Sequence, residues 1–261
     1  MRITVVKIGG NVIDNTNKLS SFIARFAAID GYKILVHGGG KIATDIGLKL
    51  GIEPDYVNGR RVTDAATLGL VTMVYGGLIN KNIVAELQSH QCNAIGLTGA
   101  DARVLPANKR PVKDVDYGFV GDVGSDGVNT KFIVDIMALG LTPVFAPLTY
   151  DGQGGLLNTN ADTIAQEVAK ALAVAGNDVQ LIYCFEKKGV LLDADDDSSV
   201  IGRISAAEFI LLKERKIISG GMLPKLENAF AAIDAGVQQV IIGHADELAG
   251  LLSGNTGTCI H

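Results

Sequence analysis

Six short runs dense in Val, Ile and Leu recur along the 261-residue chain with amphipathic segments between them, and this alternation most restricts the fold. The runs cover residues 3–8, 33–37, 94–98, 143–146, 179–184 and 237–242. Each is apolar at successive positions, the mark of strands buried on both faces of a parallel sheet. The segments between them, near 19–29, 41–50, 64–89, 131–139, 162–174, 206–216, 226–235 and 247–252, repeat their apolar residues at helical spacing. Parallel strands need crossover connections, which helices supply. The expectation is an α/β fold, an open three-layer αβα sandwich around a mostly parallel central sheet, with β-hairpins added. Residues 117–129 carry the Asp126-Gly127 signal and the alternation of one hairpin, and residues 191–201 read as a second. Residues 51–63 read as loop, and Asp193 to Asp197 as a solvated turn without the Gly and distal Glu of a calcium loop. The helical segment 64–89 holds Gly76-Gly77 mid-helix, which costs about 1 kcal/mol per Gly relative to Ala. That predicts close backbone packing there, with a hinge as the alternative.

Bulk properties exclude several classes. A net charge of −5 and a pI near 5.4, with no basic arm, leave no footprint for a nucleic-acid backbone. The longest uncharged windows, 65–80 and 136–150, fall short of the ~18–20 apolar residues of a membrane span. Cys92, Cys184 and Cys259 are odd in number and widely spaced, which suggests neither a disulfide framework nor a zinc site. The strand-like run at the N-terminus has no apolar signal region, so the expected compartment is the cytoplasm.

The chain has 32 glycines, well above the usual ~7%. Three clusters sit after predicted strands or before predicted helices: Gly9-Gly10, Gly38-Gly39-Gly40 and Gly220-Gly221. Backbone N–H groups without a Cβ in the way, together with helix N-termini, suit anionic phosphate oxygens. A Walker motif is absent, because Gly40-Lys41 is followed by Ile42. Gly38-Gly39-Gly40-Lys41-Ile42-Ala43 matches a dinucleotide fingerprint, but no strand ending in an acid follows about 20 residues on.

Five motifs carry a family resemblance: Val6-Lys7-Ile8-Gly9-Gly10, Val36-His37-Gly38-Gly39-Gly40, Asn58-Gly59-Arg60-Arg61-Val62-Thr63, Leu157-Asn158-Thr159-Asn160-Ala161-Asp162 and Gly220-Gly221-Met222-Leu223-Pro224-Lys225. In order and spacing the chain resembles the amino-acid kinase family over nearly its whole length. The third and fourth motifs, around Arg61 and Asn158, are the most selective for its acylglutamate-phosphorylating members. The resemblance implies ATP-dependent phosphorylation of the γ-carboxylate of an N-acylglutamate, acetyl or larger, in arginine or ornithine biosynthesis, with ATP and Mg²⁺ as cosubstrate. It implies Lys7 and Lys225 as catalytic cations, with Asp162 holding them. Gly39, Gly40, Arg61 and Asn158 would bind the substrate, and Gly9, Gly10, Glu186, Gly189, Gly220 and Gly221 the nucleotide, with no dedicated metal ligands. An N-terminal lobe (about 1–175) would take the amino acid and a C-terminal lobe (about 176–261) the nucleotide. A homodimer without arginine feedback is also implied. Two departures stand out: Phe185-Glu186-Lys187-Lys188-Gly189 replaces the usual Thr- or Ser-Asp-Val stretch, and Arg60 replaces a commonly apolar residue beside Arg61. Other amino-acid kinases, acting on free glutamate, aspartate, carbamate or a nucleoside monophosphate, and a noncatalytic regulator, remain open alternatives.

The residues suit this chemistry. A carboxylate with a reference pKa near ~4 is ionised at neutral pH and needs no general base. Among the four histidines only His37 lies in a motif, where a structural hydrogen-bonding role is expected. Charge control is the main requirement, since negative charge spreads over the transferring phosphoryl. Asp162 also stands where a helix N-cap is expected, and Arg61 supplies the planar fork that carboxylates favour.

Overall fold

The apolar runs become strands because their side chains are sealed on both faces; Ile3, Val5, Val6 and Ile8 are all fully buried. The computed structural model describes residues 1–261 except 125–126, 194, 216 and 219–221. Strands β1 (Arg2–Ile8), β2 (Tyr32–His37), β3 (Ala94–Leu97), β4 (Thr142–Phe145), β5 (Asp178–Phe185), β6 (Arg203–Ile204), β7 (Gln239–His244) and β8 (Thr258–Ile260) form a mostly parallel eight-stranded sheet. The six predicted strands are all present; the short β6 and β8 carry too few residues to show periodicity.

Helices surround the sheet, in agreement with the α/β expectation. They are α1 (Thr16–Ala27), α2 (Gly40–Lys49), α3 (Ala65–Ser89), α4 (Thr130–Ala138), α5 (Ala161–Val174), α6 (Ala206–Glu214), α7 (Met222–Asp234) and α8 (Leu248–Leu252). Two compact units share the chain, Met1–Ile34 with Ala165–His261, and Leu35–Ile164. In the first, the strand order is β6-β8-β7-β5-β1, with only the β7–β8 pair antiparallel. In the second, the order is β2-β4-β3, all parallel.

Within the second unit α3 is α-helical over Ala65–Val71, π-helical over Thr72–Ile79 and α-helical again over Asn80–Ser89. The Asp64 side chain caps its start by accepting from the Thr67 N–H at 2.7 Å. By length and composition α3 is apolar enough to cross a membrane. Here it is a core helix: Leu70, Val71, Val74, Ile83 and Leu87 are buried. The Gly76-Gly77 pair lies in the π stretch, and a Cβ at Gly76 would stand 3.4 Å from Leu148 Cδ1 and 3.5 Å from Thr98 Cγ2. The close packing expected there is therefore found at Gly76, whereas Gly77 faces open space.

Three small ribbons complete the second unit: Tyr56–Val57 with Arg60–Arg61, Ala107–Lys109 with Gly121–Val123, and Leu148–Tyr150 with Leu156–Asn158. The first corrects the loop expected over 51–63. Asn58 (φ 51°) and Gly59 (φ 74°) take up the left-handed positions of a two-residue hairpin turn. The second corrects the hairpin expected over 117–129, since Gly121–Val123 pairs upstream with Ala107–Lys109. Gly121 there abuts Leu157 and Thr159 so closely that a Cβ would come within 2.9 Å of both. The Asp126 on which that turn rested lies outside the described residues. Residues 191–201 do close as expected, through an antiparallel Leu191–Val200 bridge.

Candidate active site

In the first unit, Lys7 stands one residue from the C-terminal end of β1, only 9% exposed. Such strand ends are where ligands approach parallel sheets. Its ammonium lies over Gly9, where an added Cβ would stand 3.6 Å from Nζ and 3.9 Å from the Cys184 carbonyl. Gly9 begins a single helical turn, Gly10–Ile13, closed by the Asp14 N–H donating to the Gly10 carbonyl at 2.7 Å. From that turn Asn11 Nδ2 donates to Glu186 Oε2 at 2.6 Å. Phe185, next to Glu186, faces the Lys225 ammonium 6.0 Å from its ring centroid. The unit thus gathers Lys7, Gly9, Gly10, Glu186 and Lys225, with Asn11 and Phe185 added.

Other predicted nucleotide residues fare differently. Gly189 is packed inside the unit: a Cβ there would stand 2.7 Å from Thr258 Oγ1 and 2.8 Å from Val200 Cγ1. Gly220 and Gly221 lie outside the described residues. Cys184, beside Lys7, has its thiol pushed up to about 12 by burial, only partly offset by the Lys7 charge, so it stays a neutral thiol.

In the second unit, β2 ends at His37 and the chain turns through Gly39 into α2. Gly39 has φ 143°, and a Cβ there would overlap Ile79 Cδ1 on the π turn of α3. Glycine is required at this junction by both backbone and space. The Gly40 carbonyl accepts from Arg61 Nη2 at 2.9 Å and from Thr44 Oγ1 at 3.0 Å. Nη2 also donates to Thr44 Oγ1 at 2.8 Å and to the Tyr56 hydroxyl, and the guanidinium stacks 4.7 Å from the Tyr56 ring centroid. Arg61 is 8% exposed, yet among the described residues it has no ion pair and its side-chain hydrogen bonds all use Nη2. With no protein carboxylate paired to it among the described residues, the guanidinium keeps the planar donor fork of a carboxylate clamp. The buried Tyr75 hydroxyl, raised above the ordinary tyrosine range by desolvation, feels the opposing pull of Arg61.

Asn158 joins this cluster through Thr63. Its Nδ2 donates to Thr63 Oγ1 at 3.0 Å, and the Thr63 hydroxyl donates to the Arg61 carbonyl at 3.4 Å. The structure therefore brings Gly39, Gly40, Arg61 and Asn158 into one cluster. Thr44, Tyr56 and Tyr75 were missed. Thr44 is four residues from Gly40 on one helix face, and Tyr56 is the cross-strand partner of Arg61, so both had a local signal; Tyr75 had none.

His37 is fully buried, and burial lowers its pKa to about 4. Nδ1–H donates to the Gly38 carbonyl at 2.8 Å, while Nε2 accepts from Asn80 Nδ2 at 3.2 Å. Both ring nitrogens are engaged, so the imidazole is structural, as expected. Asp162 occupies the second position of α5, and its N–H donates to Asn160 Oδ1 at 2.7 Å. The capping side chain is therefore Asn160, which leaves the Asp162 carboxylate without that duty.

The chain matches the amino acid kinase family over residues 2–244. It is 58% identical to an acetylglutamate kinase of Phocaeicola vulgatus over 259 residues, covering 99% of this chain and 98% of that one. Two solved structures share the fold. N-acetylglutamate synthase from Neisseria gonorrhoeae matches with a TM-score of 0.82 at 22% identity, over 99% of this chain and 59% of that one. Carbamate kinase from Giardia lamblia bound to AMP-PNP matches with a TM-score of 0.70 at 14% identity, over 99% and 97%. With its parallel sheet, glycine turns and ordered motifs, this chain belongs to the amino acid kinase family.

Proposed function

We propose that this chain phosphorylates the γ-carboxylate of an N-acylglutamate with ATP, releasing ADP and an acyl phosphate, as a step of arginine or ornithine biosynthesis in the cytoplasm. The observation that carries the reading is Arg61, a buried guanidinium braced through Nη2 and with no ion pair among the described residues. The name of the 58%-identical relative supports the same substrate.

In this reading Arg61 and Asn158 grip the α-carboxylate, and the N-terminal portion (about 1–175) binds the amino acid while the C-terminal portion (about 176–261) binds the nucleotide. A γ-carboxylate oxygen attacks the γ-phosphorus; the bond to the β,γ-bridging oxygen breaks, and its electron pair leaves with ADP. The carboxylate is already ionised, so no base is needed. That agrees with a neutral, fully engaged His37. Lys7 neutralises the transferring phosphoryl and Lys225 the leaving group, while Asp162 offsets and orients the two ammonium groups. Gly9, Gly10, Gly39 and Gly40 offer backbone to the phosphoryl path, and Glu186, Gly189, Gly220 and Gly221 belong to the nucleotide side. Among the described residues no three His, Cys, Asp or Glu converge on a metal position. In this reading Mg²⁺ would be held mainly by ATP oxygens and water, where it neutralises phosphate charge. A homodimer is proposed through the exposed Met73 and Leu78 of α3.

The test is direct: purified protein with ATP, Mg²⁺ and N-acetylglutamate, with hydroxylamine trapping the acyl phosphate as a hydroxamate. Hydroxamate formation is expected. No product with acetyl or larger acylglutamates would overturn the reading.

A further inference from the structure

The three small ribbons of the second unit leave out residues 117–120, yet this segment lies between the motifs of Arg61 and Asn158. On one side the Thr63 N–H donates to the Tyr117 carbonyl at 2.9 Å, and the Phe119 N–H donates to the Thr63 carbonyl at 2.7 Å. On the other side the Asn158 N–H donates to the Phe119 carbonyl at 2.9 Å. Both junctions are parallel bridges, Thr63 with Gly118 and Val120 with Asn158. The bond from Asn158 Nδ2 to Thr63 Oγ1 links only the side chains of the two motifs. Their backbones are tied through the segment, which is a splint between residues 95 positions apart.

Gly118 lets the splint lie this close. Its φ is 70°, in the left-handed region that L side chains avoid, and a Cβ there would overlap the Thr63 carbonyl oxygen and stand 2.9 Å from the carbonyl carbon. The Asp116 carboxylate holds the turn by accepting from the Gly118 N–H at 2.8 Å. Arg110 clips the segment from outside: its N–H donates to the Val120 carbonyl at 2.7 Å, its Nε stands 3.1 Å from both Asp122 carboxylate oxygens, and its guanidinium lies 5.5 Å from the Tyr117 ring centroid. A methyl group at position 118 would have only backbone to push against, so Thr63 must shift relative to Asn158.

Resting on the acylglutamate reading, we infer that Gly118 is a positioning residue for the substrate: it sets the spacing at which the Arg61 and Asn158 motifs, one on each side of the splint, meet the same α-carboxylate. Two groups that share one ligand must keep their separation to about 0.5 Å, and a misplacement of about 1 Å can cost roughly 10²-fold. Gly118 acts through Thr63 and not by contact with the substrate. The nucleotide, assigned to the first unit, makes no demand on this spacing.

Steady-state hydroxamate kinetics on Gly118→Ala test this. KM for the acylglutamate is expected to rise about tenfold or more while KM for ATP stays within about twofold. Gly140 is the control, because it has φ 80° at the end of α4 and nothing within 4 Å of its Cβ position. Gly140→Ala carries the same backbone strain without the overlap, so it should lower Tm and leave both KM values alone. Should Gly118→Ala fail to fold, Arg110→Leu loosens the splint from outside and is expected to give the same split at about threefold. Adding Gly118→Ala to Asn158→Ala should cost less than Gly118→Ala alone, since one of the two grips it aligns is already gone. An acylglutamate KM unmoved in every folded splint variant, a parallel rise of both KM values, or an equal rise in Gly140→Ala overturns the inference while the kinase reading stands. Absence of hydroxamate with the unsubstituted protein sinks that reading instead.

Discussion

Each unit buries one basic side chain in its candidate site, and the two are held in opposite ways. Lys7 sits near the end of an inner parallel strand, its ammonium above the bare backbone of Gly9. Arg61 sits in a two-stranded ribbon, braced by the Gly40 carbonyl, Thr44 and Tyr56. An ammonium is a compact point charge that suits the transient charge of a moving phosphoryl, whereas a guanidinium is a directional fork that suits a carboxylate at rest. The contrast argues that the first unit acts mainly on the reaction barrier and the second mainly on binding.

The strongest way to break that comparison is Lys7→Ala. Turnover should fall by roughly 10²-fold or more with little change in KM for the acylglutamate, because the lost interaction grows as charge develops. Steady-state hydroxamate kinetics read it; a pure KM defect would place Lys7 with Arg61. Arg61→Ala should instead raise KM for the acylglutamate by about 10- to 100-fold while KM for ATP barely moves. A selective ATP defect would reverse the assignment of the two cations.

A third difference concerns acid. Burial lowers the His37 pKa to about 4 from an ordinary 6.5. The unfolded chain takes up this proton below pH 6.5 while the folded chain refuses it until about pH 4, so stability is full above the unfolded value and is lost as pH falls between the two. The slope is at most about 1.4 kcal/mol per pH unit. Asp64, whose carboxyl is held below its usual range by the Thr67 N–H, loses its contribution only at lower pH, as it becomes protonated. Urea unfolding followed between pH 4 and 7 should show the slope, and His37→Gln should flatten it. An unchanged slope would remove His37 as its source. The smallest expected effect is Thr44→Val, which deletes one bond to Arg61 and should raise KM for the acylglutamate about 2- to 10-fold; unchanged KM would mean that Tyr56 and Gly40 suffice to hold the fork.

Much of this was legible before any tertiary information. The six long strands announce themselves because burial on both faces demands unbroken apolar runs, and the helices because one apolar stripe must recur every turn. Gly39 and Gly40 were marked by their place between a strand and a helix. The errors fall where pairing is short. The Asn58-Gly59 turn was the strongest local hairpin signal in its region, yet it has only two residue pairs and no room for alternation. Gly121–Val123 was assigned to the wrong partner, because three residues cannot specify which of several ribbons they join.

The sequence by itself determined the α/β class, the strands and helices, the family motifs and the residue types available for charge control. Local forces suffice for these: apolar periodicity, turn conformation and the intrinsic charge of a side chain. Only the tertiary structure decided that Asn158 meets Thr63 across 95 positions, that Tyr75 feels the charge of Arg61, and that Arg60 faces a different cleft from its neighbour. These depend on which surfaces are packed together. A side chain's hydrogen-bond partners and its access to water are properties of that packing, and no short stretch of sequence contains them.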